Sequence, residues 1–164
     1  MRSILLTLAL AACVSPAAAL ELKGPTGQTA TVSAADLADL PRVSFTFDAH
    51  GQKATYEGPL LIDVLAKVGA PTGKALRGPA LANAVIVKAS DGYTVVYGLA
   101  ELDPGTRANR IILADKADGA PLGAKDGPFK VVAEGDVRPA RSARLVTSIE
   151  VRDLGGGSGT AHKH

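Results

Sequence analysis

Sulfur and large aromatic side chains are scarce in this chain of 164 residues. It contains one cysteine, one methionine, no tryptophan, three phenylalanines and three tyrosines. The single cysteine, Cys13, lies near the start, so residues 20–164 have no thiol for a zinc thiolate site, an iron–sulfur cluster or a disulfide. The core must therefore be built mainly from Val, Ile, Leu and Ala side chains.

A strong net charge is also missing. The sequence carries 18 Lys and Arg residues against 16 Asp and Glu residues, which gives a formal net charge of +2. Proteins that bind nucleic acid usually present a strongly basic face to the phosphate backbone. The composition therefore gives no support for a nucleic-acid partner.

The first 19 residues have the pattern of a secretory signal peptide. Arg2 supplies a positive charge, residues 4–12 form an apolar run, and the alanines at residues 17–19 form an A-x-A cleavage sequence. The apolar run is too short to cross a bilayer, which takes about 20 residues. We expect cleavage after Ala19 and a periplasmic protein.

Both ends of the chain allow a second interpretation. Residues 10–13, LAAC, also fit a lipoprotein signal in which Cys13 becomes the lipidated N-terminus. Residues 155–164, GGGSGTAHKH, are predicted to form a disordered tail, because they cannot bury enough apolar surface to become ordered. In an alternative interpretation, His162 and His164 of that tail bind a metal ion together.

Residues 20–154 are predicted to form one domain of ordinary size, in which strands outnumber helices. The predicted strands are runs rich in Val, Ile, Thr and aromatic residues, bounded by Gly, Pro, Asn and Asp. They cover residues 20–23, 29–32, 43–48, 52–56, 83–89, 94–98, 111–115, 129–133 and 145–152.

Two helices are predicted between these strands. Five apolar residues at helical spacing predict a helix that begins at Pro59 and ends at Gly69. Ser33 and Asp36 form a capping pattern for a shorter helix that ends at Pro41. Together these elements predict an α+β fold with a mixed β-sheet and a few short helices.

Several short motifs occur in an order and spacing that are typical of a known family. They are EGPLL at residues 57–61, SDGY at 90–93, ILA at 112–114, GAPL at 119–122, GP at 127–128 and SIEV at 148–151. Over residues 30–153 the chain therefore resembles the sulfite-oxidase-like, or oxidoreductase molybdopterin-binding, domain family. The resemblance implies the α+β fold of that family.

The chain departs from the catalytic members of that family, which bind molybdenum through a cysteine thiolate and two sulfur atoms of the pterin cofactor. Cys13 lies in the predicted leader, so no protein-thiolate-bound molybdenum is expected. In size, leader and missing cysteine, the chain is similar to small exported pterin-binding proteins that report to membrane sensors. The resemblance implies a protein that binds a pterin or molybdopterin-like ligand without redox turnover and signals to a membrane or periplasmic partner.

Two other functions fit the same sequence. One is a molybdopterin-dependent oxidoreductase of the sulfite oxidase type, which would hold its cofactor without a protein thiolate and exchange electrons with a redox partner. The other is an interaction domain whose sheet edge or arginine face binds another exported protein. Bound molybdenum would indicate the first, and partner binding that is independent of any ligand would indicate the second.

Asp91 and Tyr93 are the first candidates for contact with a pterin. Asp91 lies in a predicted turn beside Gly92, where the backbone can approach a ligand closely. One carboxylate can accept hydrogen bonds from both the amine and the ring N–H of a pterin, and Tyr93 can stack on the ring or donate its hydroxyl. A turn closed by the Asp91 side chain and a tyrosine at the edge of the core explain the same residues structurally.

Three arginines recur at every third residue of the segment VRPARSAR. Arg138, Arg141 and Arg144 would share one face of a helical turn, and with Lys125 and Lys130 they form a candidate site for a carboxylate or phosphate. The first two arginines are the preferred pair of ligand contacts. A solvated charged surface explains the same run without any ligand.

The remaining polar residues give weaker indications. Tyr56, Glu57 and Tyr97 fit a pocket wall and equally fit core or hairpin packing. A Ser-His-Asp triad cannot be argued, because His50 is the only histidine before residue 155. The GGGSG run does not lie between a strand and a helix, as a phosphate-binding loop requires.

Overall fold

The structure, a computed structural model, describes residues 19–155. Residues 1–18 of the predicted leader, and most of the predicted tail with His162 and His164, lie outside the described residues. The described strands are β1 (Leu20–Lys23), β2 (Thr29–Val32), β3 (Arg42–Ala49), β4 (Gln52–Pro59), β5 (Asn83–Ala89), β6 (Thr94–Gly98), β7 (Ile111–Ala114), β8 (Lys116–Ala117), β9 (Ala120–Pro121), β10 (Lys130–Ala133) and β11 (Val146–Asp153). Helix α1 spans Leu61–Ala66, and short 3-10 helices span Ala35–Leu37, Gly73–Ala75, Gly78–Ala82, Leu99–Leu102 and Pro139–Arg141.

The largest sheet contains five strands in the order β2-β1-β11-β5-β6. Its neighbouring strands are antiparallel except for β1 and β11, which run parallel. The first and last strands of the described range therefore lie side by side within it. This mixed sheet, with its few short helices, confirms the coarse α+β prediction.

Strands β7 and β10 form a two-stranded antiparallel sheet that is buried on both faces. Because side chains alternate along a strand, Ile111 and Leu113 pack into a large core with the five-stranded sheet and α1. Ile112 and Ala114 pack into a smaller core on the opposite face. The other buried members of the smaller core are Phe45, Phe47, Tyr56 and Val132.

The third sheet is built on the long β3–β4 hairpin and continues through β8 and β9. The two hairpin strands pair along their whole length and are joined at His50 and Gly51, whose φ angles are 57° and 83°. Positive φ at both central positions is what a type I′ hairpin turn requires. The predicted hairpin is confirmed, and its apolar face covers the β7–β10 pair.

Helix α1 is shorter than the apolar spacing predicted. Pro59 is the last residue of β4 rather than the first residue of the helix, and the helix itself ends at Ala66. The chain then reverses through Gly69, which has a φ of 77°. The predicted stop at this glycine is therefore confirmed, whereas the predicted start was wrong.

The predicted capping contact between Ser33 and Asp36 also forms. The backbone N–H and the hydroxyl of Ser33 donate to Asp36 Oδ2 at 2.7 and 2.6 Å. These bonds close only the single 3-10 turn Ala35–Leu37, in which Leu37 is the buried residue. One buried side chain provides too little apolar contact to extend the turn into the predicted helix.

The short strands β8 and β9 were not predicted, because two residues each are too few to show an alternating pattern. They extend the hairpin sheet beyond β4.

Among the described residues, no helix is long and apolar enough to cross a membrane.

Candidate functional site

An open cleft of about 880 Å³ lies beside the β3–β4 hairpin, the β5–β6 turn and the segment after β10. Its walls come from five separate stretches of sequence, within residues 49–56, 91–93, 117–118, 126–130 and 139–144. The volume falls in the range of roughly 300–1,000 Å³ that is typical of small-molecule sites. The polar and charged lining residues are His50, Gln52, Lys53, Tyr56, Asp91, Tyr93, Asp118, Asp126, Lys130, Ser142 and Arg144.

Lys130 places an ammonium group in the wall of this cleft. It lies on β10, and only 10% of its side chain is exposed. Its Nζ donates to the Tyr56 hydroxyl at 2.9 Å and to Asp126 Oδ1 at 3.2 Å. An ammonium group has three donors, so one N–H remains for a ligand. Because the Tyr56 oxygen accepts from Lys130, the phenolic proton of Tyr56 also remains to be donated.

The hydroxyl of Ser142 is buried at the cleft and has no hydrogen-bond partner within residues 19–155. Buried polar groups nearly always have a partner, and leaving one without a partner costs about 1–3 kcal/mol. The Ser142 oxygen has almost no accessible surface, so a molecule in the cleft could reach it only if the surrounding segment moved. Arg144, two residues further along, is exposed and lines the same cleft.

Asp91 and Tyr93, both predicted ligand contacts, line the cleft and also make the alternative structural contacts. Asp91 Oδ1 accepts a hydrogen bond from the Tyr93 backbone N–H at 2.9 Å, which closes the turn. The Tyr93 hydroxyl donates to the carbonyl of Ala140 at 2.5 Å, and the residue is 49% exposed. The hydroxyl of Tyr93 is therefore used by the protein, while its ring face is left for stacking.

Arg141, the third predicted contact, is held in ion pairs and is not part of the cleft lining. Its guanidinium donates to both oxygens of Asp136 at 2.7 and 3.0 Å and to Glu101 Oε2 at 3.1 Å. The hydrogen bonds with Asp136 raise the pKa of Arg141 above its usual value. The guanidinium carbon also lies 5.0 Å from the centre of the Tyr97 ring, at a distance suited to a cation–π contact. These contacts give Arg141 a structural role, and contact with a ligand stays a prediction.

Tyr97 adds to this support from the large core. It is 1% exposed, and its hydroxyl donates to the carbonyl of Arg141. Burial raises the pKa of the Tyr97 phenol well above its usual value, so the group stays neutral and keeps its donor. The 3-10 turn Pro139–Arg141 is thereby attached to the sheet behind it.

Arg138, the fourth predicted contact, lines a second cleft of about 460 Å³. His50 and Pro139 line both clefts, so the two adjoin. The structure therefore brings Asp91 and Tyr93 together in the first cleft and places Arg138 next to it.

Sequence reasoning did not select Lys130 or Ser142 as preferred site residues. The signal for Lys130 was present, since a lone lysine begins an otherwise apolar strand, KVVA, that is buried on both faces. A buried ammonium group requires polar partners, and such partners often mark a site. Ser142 has no comparable sequence pattern. Lys125, which had been grouped with the arginines, is exposed.

The lining offers hydrogen-bond donors, carboxylates and aromatic faces. It contains no sulfur ligand, because the one cysteine of the chain is at position 13. Within residues 19–155, no group of three or more His, Cys, Asp or Glu side chains is arranged to hold a metal ion. The lining therefore does not supply the thiolate that a soft metal prefers.

Comparisons with known proteins show a distant relationship of fold. No family model matches the sequence, and no curated protein matches it. Among solved structures, the chain is similar to the sulfane dehydrogenase SoxCD from Paracoccus pantotrophus, with a TM-score of 0.63 and 15% sequence identity. The match covers 82% of this chain and 38% of that chain, so this chain spans well under half of that protein's length. This chain thus has the fold of part of a sulfane dehydrogenase.

Proposed function

We propose that this protein binds a pterin-type ligand in the cleft without redox turnover and signals to a membrane or periplasmic partner. The observation that carries the proposal is the hydrogen-bonded pair Lys130 and Tyr56 in the wall of the cleft, in which each group has one donor left over. The fold shared with part of a sulfane dehydrogenase and the resemblance of the sequence to the sulfite-oxidase-like family support a ligand of this class.

A pterin presents two kinds of polar edge, and the cleft has groups for both. The amine and ring N–H of the pterin would donate to Asp91, whose second carboxylate oxygen is left over from the turn. The carbonyl oxygen and ring nitrogens would accept from Lys130 and Tyr56. The ring of Tyr93 offers an aromatic face for stacking.

The absence of redox turnover is argued from the sulfur content of the chain. Molybdenum would have to be held without a protein thiolate, because residues 20–164 contain no cysteine. The residues of the cleft would then bind and orient an organic ring. They would perform no electron transfer themselves.

Signalling requires that a partner bind the ligand-loaded and ligand-free states differently, with a coupling of about 1–3 kcal/mol in typical cases. Residues 135–144 are the proposed readout, because residues 139–144 form one wall of the first cleft and residues 135–138 line the adjoining second cleft, where Val137 is 97% exposed. A ligand that restricts the motion of this segment would also restrict the position of Val137, because Val137 belongs to the same segment.

A titration of the purified full chain with oxidised and reduced pterins tests the proposal. Binding is measured as quenching of the pterin fluorescence. We expect saturable binding at micromolar concentrations. Lys130→Met should bind about tenfold more weakly, because it removes a charge-assisted donor but keeps the apolar stem. The control Lys125→Met removes an exposed lysine and should bind like the unaltered chain. An absence of quenching, or equal weakening in both variants, would contradict the proposal.

A molybdopterin-dependent oxidoreductase of the sulfite oxidase type is the second candidate. The fold shared with part of a sulfane dehydrogenase favours it. It predicts stoichiometric molybdenum and oxidation of a substrate, whereas the first candidate predicts neither. Metal analysis of the purified protein therefore separates the two functions.

A further inference from the structure

The two adjoining clefts form a groove that is larger than a single ring requires. The first measures about 880 Å³ and the second about 460 Å³, with His50 and Pro139 at the junction. Together they exceed the roughly 300–1,000 Å³ that is typical of a single small-molecule site. A bicyclic pterin ring in the first cleft leaves the second one for a substituent of the ring.

Arg138 is the positively charged side chain among the lysines and arginines of the second cleft, and no ion pair to it is found among residues 19–155. Both oxygens of Asp136 already accept hydrogen bonds from Arg141, at 2.7 and 3.0 Å. Asp48 Oδ1 accepts from the backbone N–H of Gly51 at 2.7 Å and so closes the hairpin turn. The guanidinium of Arg138 is therefore the group of this cleft that is left to bind an anion.

We infer that the ligand is an elongated pterin whose substituent ends in a carboxylate, with its ring in the first cleft and its acidic end at Arg138. The inference rests on the proposed function and narrows its ligand to pterins with an acidic tail, such as pteroyl-glutamates. A guanidinium can bind a carboxylate through two parallel hydrogen bonds, which would fix the end of the tail. Arg138 and Arg141 then have different roles, although they are only three residues apart.

Calorimetric titrations of the full chain with 6-hydroxymethylpterin and with folic acid test the inference, because both have the pterin ring and only folic acid has the acidic tail. We expect folic acid to bind about 3–10 times more tightly, the gain that one partly exposed charge-assisted contact provides. Arg138→Ala should remove this gain and leave the affinity for 6-hydroxymethylpterin unchanged. Arg138→Lys should restore part of the gain.

The control is Arg152→Ala, which removes an arginine of β11 whose side chain is 52% exposed and should leave both affinities unchanged. Equal affinities for the two ligands in the unaltered chain would overturn the inference and leave the proposed function standing. Equal weakening of both ligands in Arg138→Ala would also overturn it. Failure of both ligands to bind the unaltered chain would contradict the proposed function, and the inference with it.

Discussion

At the scale of single residues, contacts outside the cleft hold one of its walls in place. Arg141 joins Asp136 to Glu101, and the hydroxyls of Tyr93 and Tyr97 donate to two successive carbonyls of the 139–144 segment. This segment also provides Ser142 and Arg144 to the cleft. The position of these two lining residues therefore depends in part on Arg141 and Tyr97, which do not line the cleft.

A second ion pair predicts a specific dependence of stability on pH. Glu134 accepts hydrogen bonds from the backbone N–H of Arg110 at 2.9 Å and from its guanidinium at 2.6 and 2.7 Å. The hydrogen bonds with Arg110 lower the pKa of Glu134 below its usual value. A carboxyl group whose pKa is lowered by folding stabilises the protein when the pH is above its pKa in the unfolded chain, about 4.3 for Glu. This contribution is lost as the pH falls through the lower pKa of the group in the folded protein.

We therefore expect Glu134→Gln to lower the free energy of unfolding at pH 7 by about 1 kcal/mol, a value reduced because both side chains are partly exposed. The difference from the unaltered chain should shrink as the pH falls and disappear once the pH is below the lowered pKa of Glu134 in the folded protein. Urea unfolding at several pH values measures it, with the exposed Glu21→Gln as control. A difference that is the same at neutral and acid pH would show that the charge of Glu134 is not its source.

The three arginines of the segment VRPARSAR show what spacing alone could not predict at this scale. Their regular spacing predicted one shared face. The structure instead contains a single 3-10 turn, Pro139–Arg141, between irregular segments, so the three side chains go to different places. The partners of Arg141 also decide its role, and one of them, Glu101, lies 40 positions away in sequence. Nothing in the local pattern specifies that pairing.

At the scale of elements, the strands were predicted well where their residues alternate or form apolar runs. β5 and β6 have the predicted bounds, and the turn residues Ser90, Asp91 and Gly92 separate them. The apolar spacing that predicted α1 is real, but the predicted first residue, Pro59, is the last residue of β4, and the helix begins at Leu61. Pairing with a neighbouring strand is a tertiary effect, and helical spacing does not include it.

Close contact between β4 and β7 gives a prediction at the scale of elements. A Cβ atom on Gly58 would lie 2.0 Å from the carbonyl oxygen of Leu113 and 2.8 Å from the Cα of Ala114. Both are backbone atoms, so one of the strands must move to admit a side chain. We expect Gly58→Ala to lower the free energy of unfolding by about 3 kcal/mol or more, as severe overpacking does.

The matched control is Gly98→Ala on β6. A Cβ there would have no heavy atom within 4 Å, and the φ of −72° suits alanine. This variant should change the free energy of unfolding by less than about 0.5 kcal/mol. Thermal or urea unfolding measures the stability of the two variants. Similar stabilities would mean that the contact between β4 and β7 is looser than described.

At the scale of the whole molecule, the cleft is produced by the way the layers stack. The β7–β10 pair lies between the two cores, and the β3–β4 hairpin covers its second face. At one end of this arrangement, segments that are distant in sequence meet around Lys130. Its contact with Tyr56 joins residues 74 positions apart. The sequence shows that Lys130 begins an otherwise apolar strand, but it does not show that Lys130 touches Tyr56.

We propose that the cleft holds an organic pterin and that no molybdenum is bound through the protein. The most direct test produces the full chain in a host that makes the molybdenum cofactor and measures pterin and molybdenum in the same purified sample. We expect an amount of pterin that approaches one per chain, with no stoichiometric molybdenum and no oxidation of sulfite or sulfane substrates. Molybdenum at one per chain together with such an oxidation would contradict it.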